Sequence, residues 1–314
     1  MALTDRPTLA AAAGAACIAS SATLVRLADV EPATAATFRC LYALPVLGLL
    51  LLREDRRYGT RPVKDRWLAA ASGVFFAVDL VLWHHALAAV GAGIATVLGN
   101  LQVVVVGFLA WWLLGERPGR RLVLAVPVVL VGVVLISGVV RAGAYGDDPT
   151  LGVVFGLGTS LAYGVFLLLL RQGSGDLRRS AGPLFDATAV AVPVCVLLAP
   201  VSGGIDLVPS WPAHGWLVTL ALTSQVVGWL LIAVSLPRVP AALTSVVLLL
   251  QPVASVGLSA AVLDERPSPV QLLGCAIVLG GVIAATAGRR QKPTPPPVPE
   301  PAPGAPPEEV ASWT

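Results

Sequence analysis

Charge is what this chain of 314 residues has least of: 12% of its residues are Asp, Glu, Lys or Arg, against 56% that are hydrophobic. A soluble globule carries about twice that charged fraction, so an ordinary water-soluble domain is excluded. Histidine occurs only three times, and the four cysteines form no Cys-x-x-Cys or Cys/His spacing. No metal or cofactor is therefore expected. Cys17, Cys40, Cys195 and Cys275 all fall in apolar stretches, where a thiol serves as a small packing group. There is no Gly-x-Ser-x-Gly, no His-x-x-x-His, no pair of carboxylates within the apolar segments and no soluble catalytic portion. An enzyme is not expected on that inventory.

What the chain has instead is a series of apolar runs of about 17–25 residues, each long enough to cross a ~30 Å hydrocarbon layer as a helix. They span 9–27, 33–52, 67–90, 92–114, 122–140, 151–170, 182–200, 214–236, 241–263 and 269–287. The first, "LAAAAGAACIASSATLV", runs too long for a cleaved signal sequence and reads as a full span. The net charge of +3 is less informative than its placement. With residues 1–8 cytoplasmic, the inside loops hold Arg53, Arg56, Arg57, Arg61, Lys64, Arg66, Arg117, Arg120, Arg121, Arg171, Arg178, Arg179 and Arg238, and the terminal segments hold Arg6, Arg289, Arg290 and Lys292. The outside loops hold only Arg26, Arg141 and Arg266. That bias predicts both termini inside a plasma or inner membrane and an even number of spans. Residues 288–314, rich in proline, read as a disordered cytoplasmic tail.

The segment 91–138 aligns with 240–287 without a gap. Gln102 meets Gln251, Glu116-Arg117-Pro118 meets Glu265-Arg266-Pro267, and Gly132-Val133 meets Gly281-Val282. The chain contains an internal duplication. Five spans lie between equivalent points, an odd number, so the second copy enters the membrane from the opposite face. The expected fold is all-α and polytopic, with ten transmembrane helices in two inverted five-helix repeats, 9–140 and 151–287. Pro118 and Pro267 favour tight connections, and Glu116 and Glu265 are expected to face the exposed N–H groups opening the helix that follows each.

The ten spans, "FRCLYALP" opening span 2, "GERP" and "DERP" closing spans 4 and 9, and the Gly-rich "LVGVVLISG" and "LGGVIAATAG" of spans 5 and 10 together resemble the drug/metabolite transporter superfamily, EamA-type. The resemblance covers residues 9–287. It implies a central cavity lined by spans 1, 3, 4, 6, 8 and 9 and a secondary transporter of a small organic solute. That solute would be a metabolite, an amino acid or a drug-like compound for efflux, moved by alternating access. The alternatives from other classes are a membrane enzyme acting on a lipid-linked substrate and a non-transporting scaffold. Small multidrug relatives carry a Glu in the first helix of their unit, and neither span 1 nor span 6 has a carboxylate. The partners expected are the solute and the bilayer, with a homodimer left open and no nucleic acid.

Ionisable groups inside a bilayer cost ~2.5–3.5 kcal/mol each on insertion scales, so each one asks for a role and a partner. Arg39 lies about 9 Å and Asp79 about 12 Å below the outer boundary. An Arg39–Asp79 pair between spans 2 and 3 is feasible, with His84 nearer the surface as a candidate relay. Asp186 should be solvated or paired with Arg178 or Arg179. Candidate cavity residues are Asp79, Trp83, Asn100, Gln102, Tyr163, Gln225, Trp229, Gln251 and Ser255. On a continuous span 4, Asn100 shares a face with Thr96 while Gln102 points the other way. Gln102 and Gln251 nevertheless occupy equivalent midplane positions of the two repeats, where such a fold binds its cargo.

Overall fold

The computed structural model describes residues 7–114, 120–136, 146–176, 178–235 and 250–286. Every regular element among them is helical. Six stretches are long and apolar enough to cross a membrane, and shorter apolar helices cover 123–136, 251–262 and 269–281. In chain order the helices are α1 (Pro7–Ala28), α2 (Pro32–Tyr58), α3 (Val63–Val90), α4 (Ala92–Gly99), α5 (Gln102–Leu114) and α6 (Arg120–Ile136). They continue with α7 (Pro149–Gln172), α8 (Ala181–Leu198), α9 (Ala213–Leu220), α10 (Trp229–Ser235), α11 (Leu250–Val262) and α12 (Pro269–Thr286). Between α9 and α10 the chain runs on through a π-helical stretch, Ala221–Gly228. The Glu116-Arg117-Pro118 motif and the tail 288–314 lie outside the described residues.

The outer surface explains the composition. Leu52, Leu124, Leu197 and Val201 are more than half exposed, a pattern suited to hydrocarbon rather than water. Trp67, near the start of α3, and Trp211, before α9, are also exposed, as residues of an interfacial aromatic belt are.

Inside the bundle, α3 packs most extensively on α7 and α8, α2 on α8, and α6 on α12. Small residues permit these approaches, as expected where packing rather than water exclusion holds helices together. A Cβ on Gly132 would lie 2.8 Å from the Gly274 carbonyl oxygen, and one on Gly274 would lie 2.7 Å from that of Gly132. Gly93 similarly lets α4 meet α11, where a Cβ would come within 2.9 Å of Val256 Cα. Gly91, at φ +88°, makes the turn from α3 into α4 while its N–H still bonds to the Leu87 carbonyl.

Span 4 is not one helix. It breaks at Asn100–Leu101, where the Asn100 and Leu101 N–H groups both bond to carbonyls only three residues back. Asn100 contributes by bonding its own side chain to the Thr96 carbonyl at 2.8 Å. Ser160 of α7 donates to the Leu98 carbonyl at 2.8 Å, satisfying a group at the break. Broken backbone at membrane depth is tolerated when protein groups meet its polar atoms in this way.

Candidate functional site

Arg39 sits two turns into α2 and is 4% exposed. Its Nε donates to Gln225 Oε1 at 3.0 Å, Nη1 to Ser21 Oγ at 3.1 Å and Nη2 to Ser224 Oγ at 3.4 Å. Gln225 is itself fixed, donating through Nε2 to Thr188 Oγ1 at 3.4 Å. The Trp83 ring lies 6.0 Å from the guanidinium carbon, within cation–π range. The π-helical stretch supplies two of the acceptors from consecutive residues, Ser224 and Gln225. Such stretches are often found at functional sites.

The guanidinium is therefore engaged with neutral oxygens of α1 and the π stretch. The ion pairs among the described residues are Arg61–Asp186, Arg66–Asp186, Arg178–Asp176, Arg179–Asp55, Arg179–Asp176 and Arg266–Asp264. Arg39 and Asp79 are not joined within 4 Å, so the direct pair anticipated between α2 and α3 is replaced by this network. Asp79 is 7% exposed, and among the described residues no hydrogen bond or ion pair reaches its carboxylate. Only its main-chain oxygen is engaged, by Thr159 Oγ1 at 3.4 Å.

Both charged groups line one cavity. It is partly open and offers ≈ 90 Å³ to the centres of water molecules. From the first half come Ile18 and Ser21 (α1), Arg39 (α2), Phe76, Asp79, Leu80 and Trp83 (α3), Thr96, Gly99 and Asn100 (α4 and its end) and Gln102 (α5). From the second half come Thr159 and Tyr163 (α7), Trp229 (α10) and Gln251 (α11). These are the helices that the resemblance implied, with α2 added through Arg39.

Of the residues singled out from the sequence, Arg39, Asp79, Trp83, Asn100, Gln102, Tyr163, Trp229 and Gln251 share this cavity. Three lie elsewhere. Gln225 is fully buried in its bonds to Arg39 and Thr188. Ser255, also fully buried, meets Thr96 Oγ1 at 3.0 Å and ties α11 to α4. His84 is buried with Nδ1 against the Leu80 carbonyl and its ring edge-on to Trp83. Gln102 lies just past the break in span 4 and lines the same cavity as Asn100. Its amide lies toward the Tyr163 hydroxyl, while its Oε1 is buried with no donor. Ser21 and Ser224 were not anticipated. Nothing in their spacing marks them, since only the tertiary fold brings them to Arg39.

The ends of the bundle hold two further departures. Glu265, 2% exposed, does not face the N–H groups of α12. It accepts from the main-chain N–H of Ala92 at 2.9 Å and of Gly93 at 3.3 Å, at the start of α4. The start of α12 has its own cap, with Ser268 N–H bonded to Gln271 Oε1 at 3.0 Å and Gln271 N–H to Ser268 Oγ at 3.3 Å. Arg266 is exposed and bonded to Asp264, and Pro267 ends the motif before this cap. At the start of α8, Glu54 grips Ala181 and Gly182 N–H in the same fashion, both at 2.9 Å. Asp186 pairs at 3.0 Å with Arg61 from the α2–α3 loop. Arg178 and Arg179, expected near it, bond to Asp176 instead.

Comparison with known proteins follows this geometry. The family model of the EamA-like transporter family matches residues 6–138 and 150–287. A protein of Pseudomonas aeruginosa, described as uncharacterized protein PA1977, is 30% identical over 243 residues, covering 77% of this chain and 80% of that protein. A solved structure described only as the crystal structure of a protein superposes with a TM-score of 0.57 at 17% identity, covering 90% of this chain and 96% of the other. That likeness concerns the fold alone.

Proposed function

Since the chain belongs to the EamA-like transporter family, we propose that it is a secondary transporter carrying a small organic solute across the membrane by alternating access. The observation that carries this reading is the cavity: polar groups from both halves converge on one space in a bundle whose outside is apolar. A scaffold would have no use for a buried carboxylate that has no partner among the described residues, which is costly to keep. In this reading the two halves are inverted repeats, 9–140 and 151–287, that rock against each other about the cavity. The duplicated Gln102 and Gln251, both lining it, support that symmetry. The Lys and Arg bias of the loops supports a plasma or inner membrane orientation with both termini cytoplasmic.

The test is a ligand-stabilisation screen of the purified full-length protein in nanodiscs against pools of metabolites, repeated with Asp79→Asn and Gln251→Ala. Stabilising solutes should lose about tenfold or more in affinity in at least one variant. Solutes that bind equally to all three proteins would show that the cavity is not the binding site.

A further inference from the structure

We infer that the cavity contains an ammonium-binding subsite, formed by the Asp79 carboxylate and Gln102 Oε1 and walled by the aromatic side chains of Tyr163 and Trp229. The inference rests on the transport reading and narrows its cargo to solutes that carry a protonated amine.

The argument is an accounting of donors and acceptors. Several donors around the cavity are spent within the protein. Three Arg39 N–H groups go to Gln225, Ser21 and Ser224, and its charged plane is covered by Trp83. Asn100 Nδ2 donates to the Thr96 carbonyl, Thr96 Oγ1 to the Ala92 carbonyl, and Thr159 Oγ1 to the Asp79 main-chain oxygen. The acceptors are not spent. The Asp79 carboxylate has no protein hydrogen-bond partner among the described residues, and Gln102 Oε1 is buried without one. Both side chains line the same cavity.

Buried acceptors without donors are unfavourable, and a buried carboxylate more so, unless a bound species supplies N–H or O–H groups and positive charge. An ammonium head supplies all of these. Aromatic faces favour a cation further, and they suit an organic cation better than an alkali ion, which wants a shell of converging oxygens. Tyr163 and Trp229 are packed edge-to-face with centroids 6.1 Å apart, so that wall is fixed before any ligand arrives. Gln102 follows the break at Asn100–Leu101 and lines the same cavity as Asp79.

The test uses one skeleton with different heads. Full-length protein in nanodiscs is titrated with 2-phenylethylamine, phenylalanine, 3-phenylpropanoate, 2-phenylethanol and, separately, sodium chloride, with thermal unfolding as the readout. The amine and the amino acid should stabilise saturably, and the acid, the alcohol and sodium should not. Asp79→Asn should weaken the amine by about tenfold to a hundredfold and Gln102→Leu by about tenfold, the cost of removing acceptors from a charged donor. Both variants should melt within about 2 °C of the wild type when unliganded, which separates lost recognition from lost folding. Binding of the acid or alcohol as tight as that of the amine overturns the subsite. So does amine binding unchanged in Asp79→Asn, Asp79-dependent saturation by sodium, or failure of every member of the series. If such a failure accompanies a neutral solute that binds and depends on Gln251, the transport reading survives and the subsite falls. If the amine binds as expected but proteoliposomes neither take it up nor release it, the subsite survives and the transport reading falls.

Discussion

Replacing Glu265 should destabilise the protein far more than replacing its neighbour Arg266, although the two sit side by side in one motif. Glu265 is 2% exposed and accepts two main-chain N–H groups, those of Ala92 and Gly93. These donors open α4 and have no intrahelical acceptor, so the carboxylate is their cap. Glu265→Ala leaves both N–H groups buried and unmet, at about 1–3 kcal/mol each, and removes a negative charge from a helix start, worth about 0.3–1 kcal/mol. The expected loss is about 2–7 kcal/mol, whereas Glu265→Gln, which keeps one acceptor, should lose about half as much. Among the described residues Arg266 bonds to Asp264, with both side chains 81% exposed, so Arg266→Ala should stay within about 0.5 kcal/mol of the wild type. Reversible unfolding in mixed detergent micelles measures all three. If Glu265→Ala falls within about 1 kcal/mol of Arg266→Ala, the carboxylate is not capping α4 and the reasoning fails.

Two further outcomes follow from the same coordinates. A Cβ on Gly73 would run into the Ala187 carbonyl of α8, whereas one on Gly257 would meet nothing within 4 Å. Gly73→Ala should therefore cost about 1–3 kcal/mol by thermal unfolding and Gly257→Ala should be neutral or stabilising by up to about 1 kcal/mol, and a reversal of that order would contradict the α3–α8 packing. In the loop before α8, hydrogen bonds from the Arg178 side chain, then the Arg178 and Arg179 charges, hold the Asp176 carboxyl down to about 2. Because the folded value lies below the ordinary ~3.9, its contribution is complete above about pH 5 and is lost as pH falls toward 2. Asp176→Asn should melt slightly below the wild type, by less than about 1 kcal/mol for so exposed a group, with the gap constant from pH 8 to 5 and closing between about 4 and 2. A gap that closes near neutral pH would point to another titrating group.

Much of this architecture is legible in the sequence because hydrophobic length and charge placement are local properties that the bilayer enforces. Uninterrupted apolar runs around Ala15, Leu80 and Val153 give long helices, and rare charges such as Asp79 stand out against them. What was not legible depends on departures from uniform helix geometry or on contacts between distant segments. A constant 100° per residue sets Gln102 opposite Asn100, yet both line one cavity, with a break between them that Ser160 of α7 supports. The same assumption hides the π stretch that aims Ser224 and Gln225 together at Arg39. Depth agreement made Arg39 and Asp79 look like partners, yet neutral oxygens 18, 185 and 186 residues away in sequence take the guanidinium. Glu265 was matched to the nearest helix start along the chain, when its acceptors are needed by one 172 and 173 residues away.

The wide turn at Ala221–Gly228 has a consequence for which changes the protein can absorb. A π turn holds one residue more than the α-helix it interrupts, so deleting any single residue there would let the backbone relax into ordinary α geometry. Such a deletion would leave the downstream helix near its present phase, keeping Trp229 beside Tyr163, while Ser224 and Gln225 could no longer both point at Arg39. Point substitutions in this stretch should be judged one side chain at a time, but a one-residue deletion would dissolve the arginine network and spare the aromatic wall.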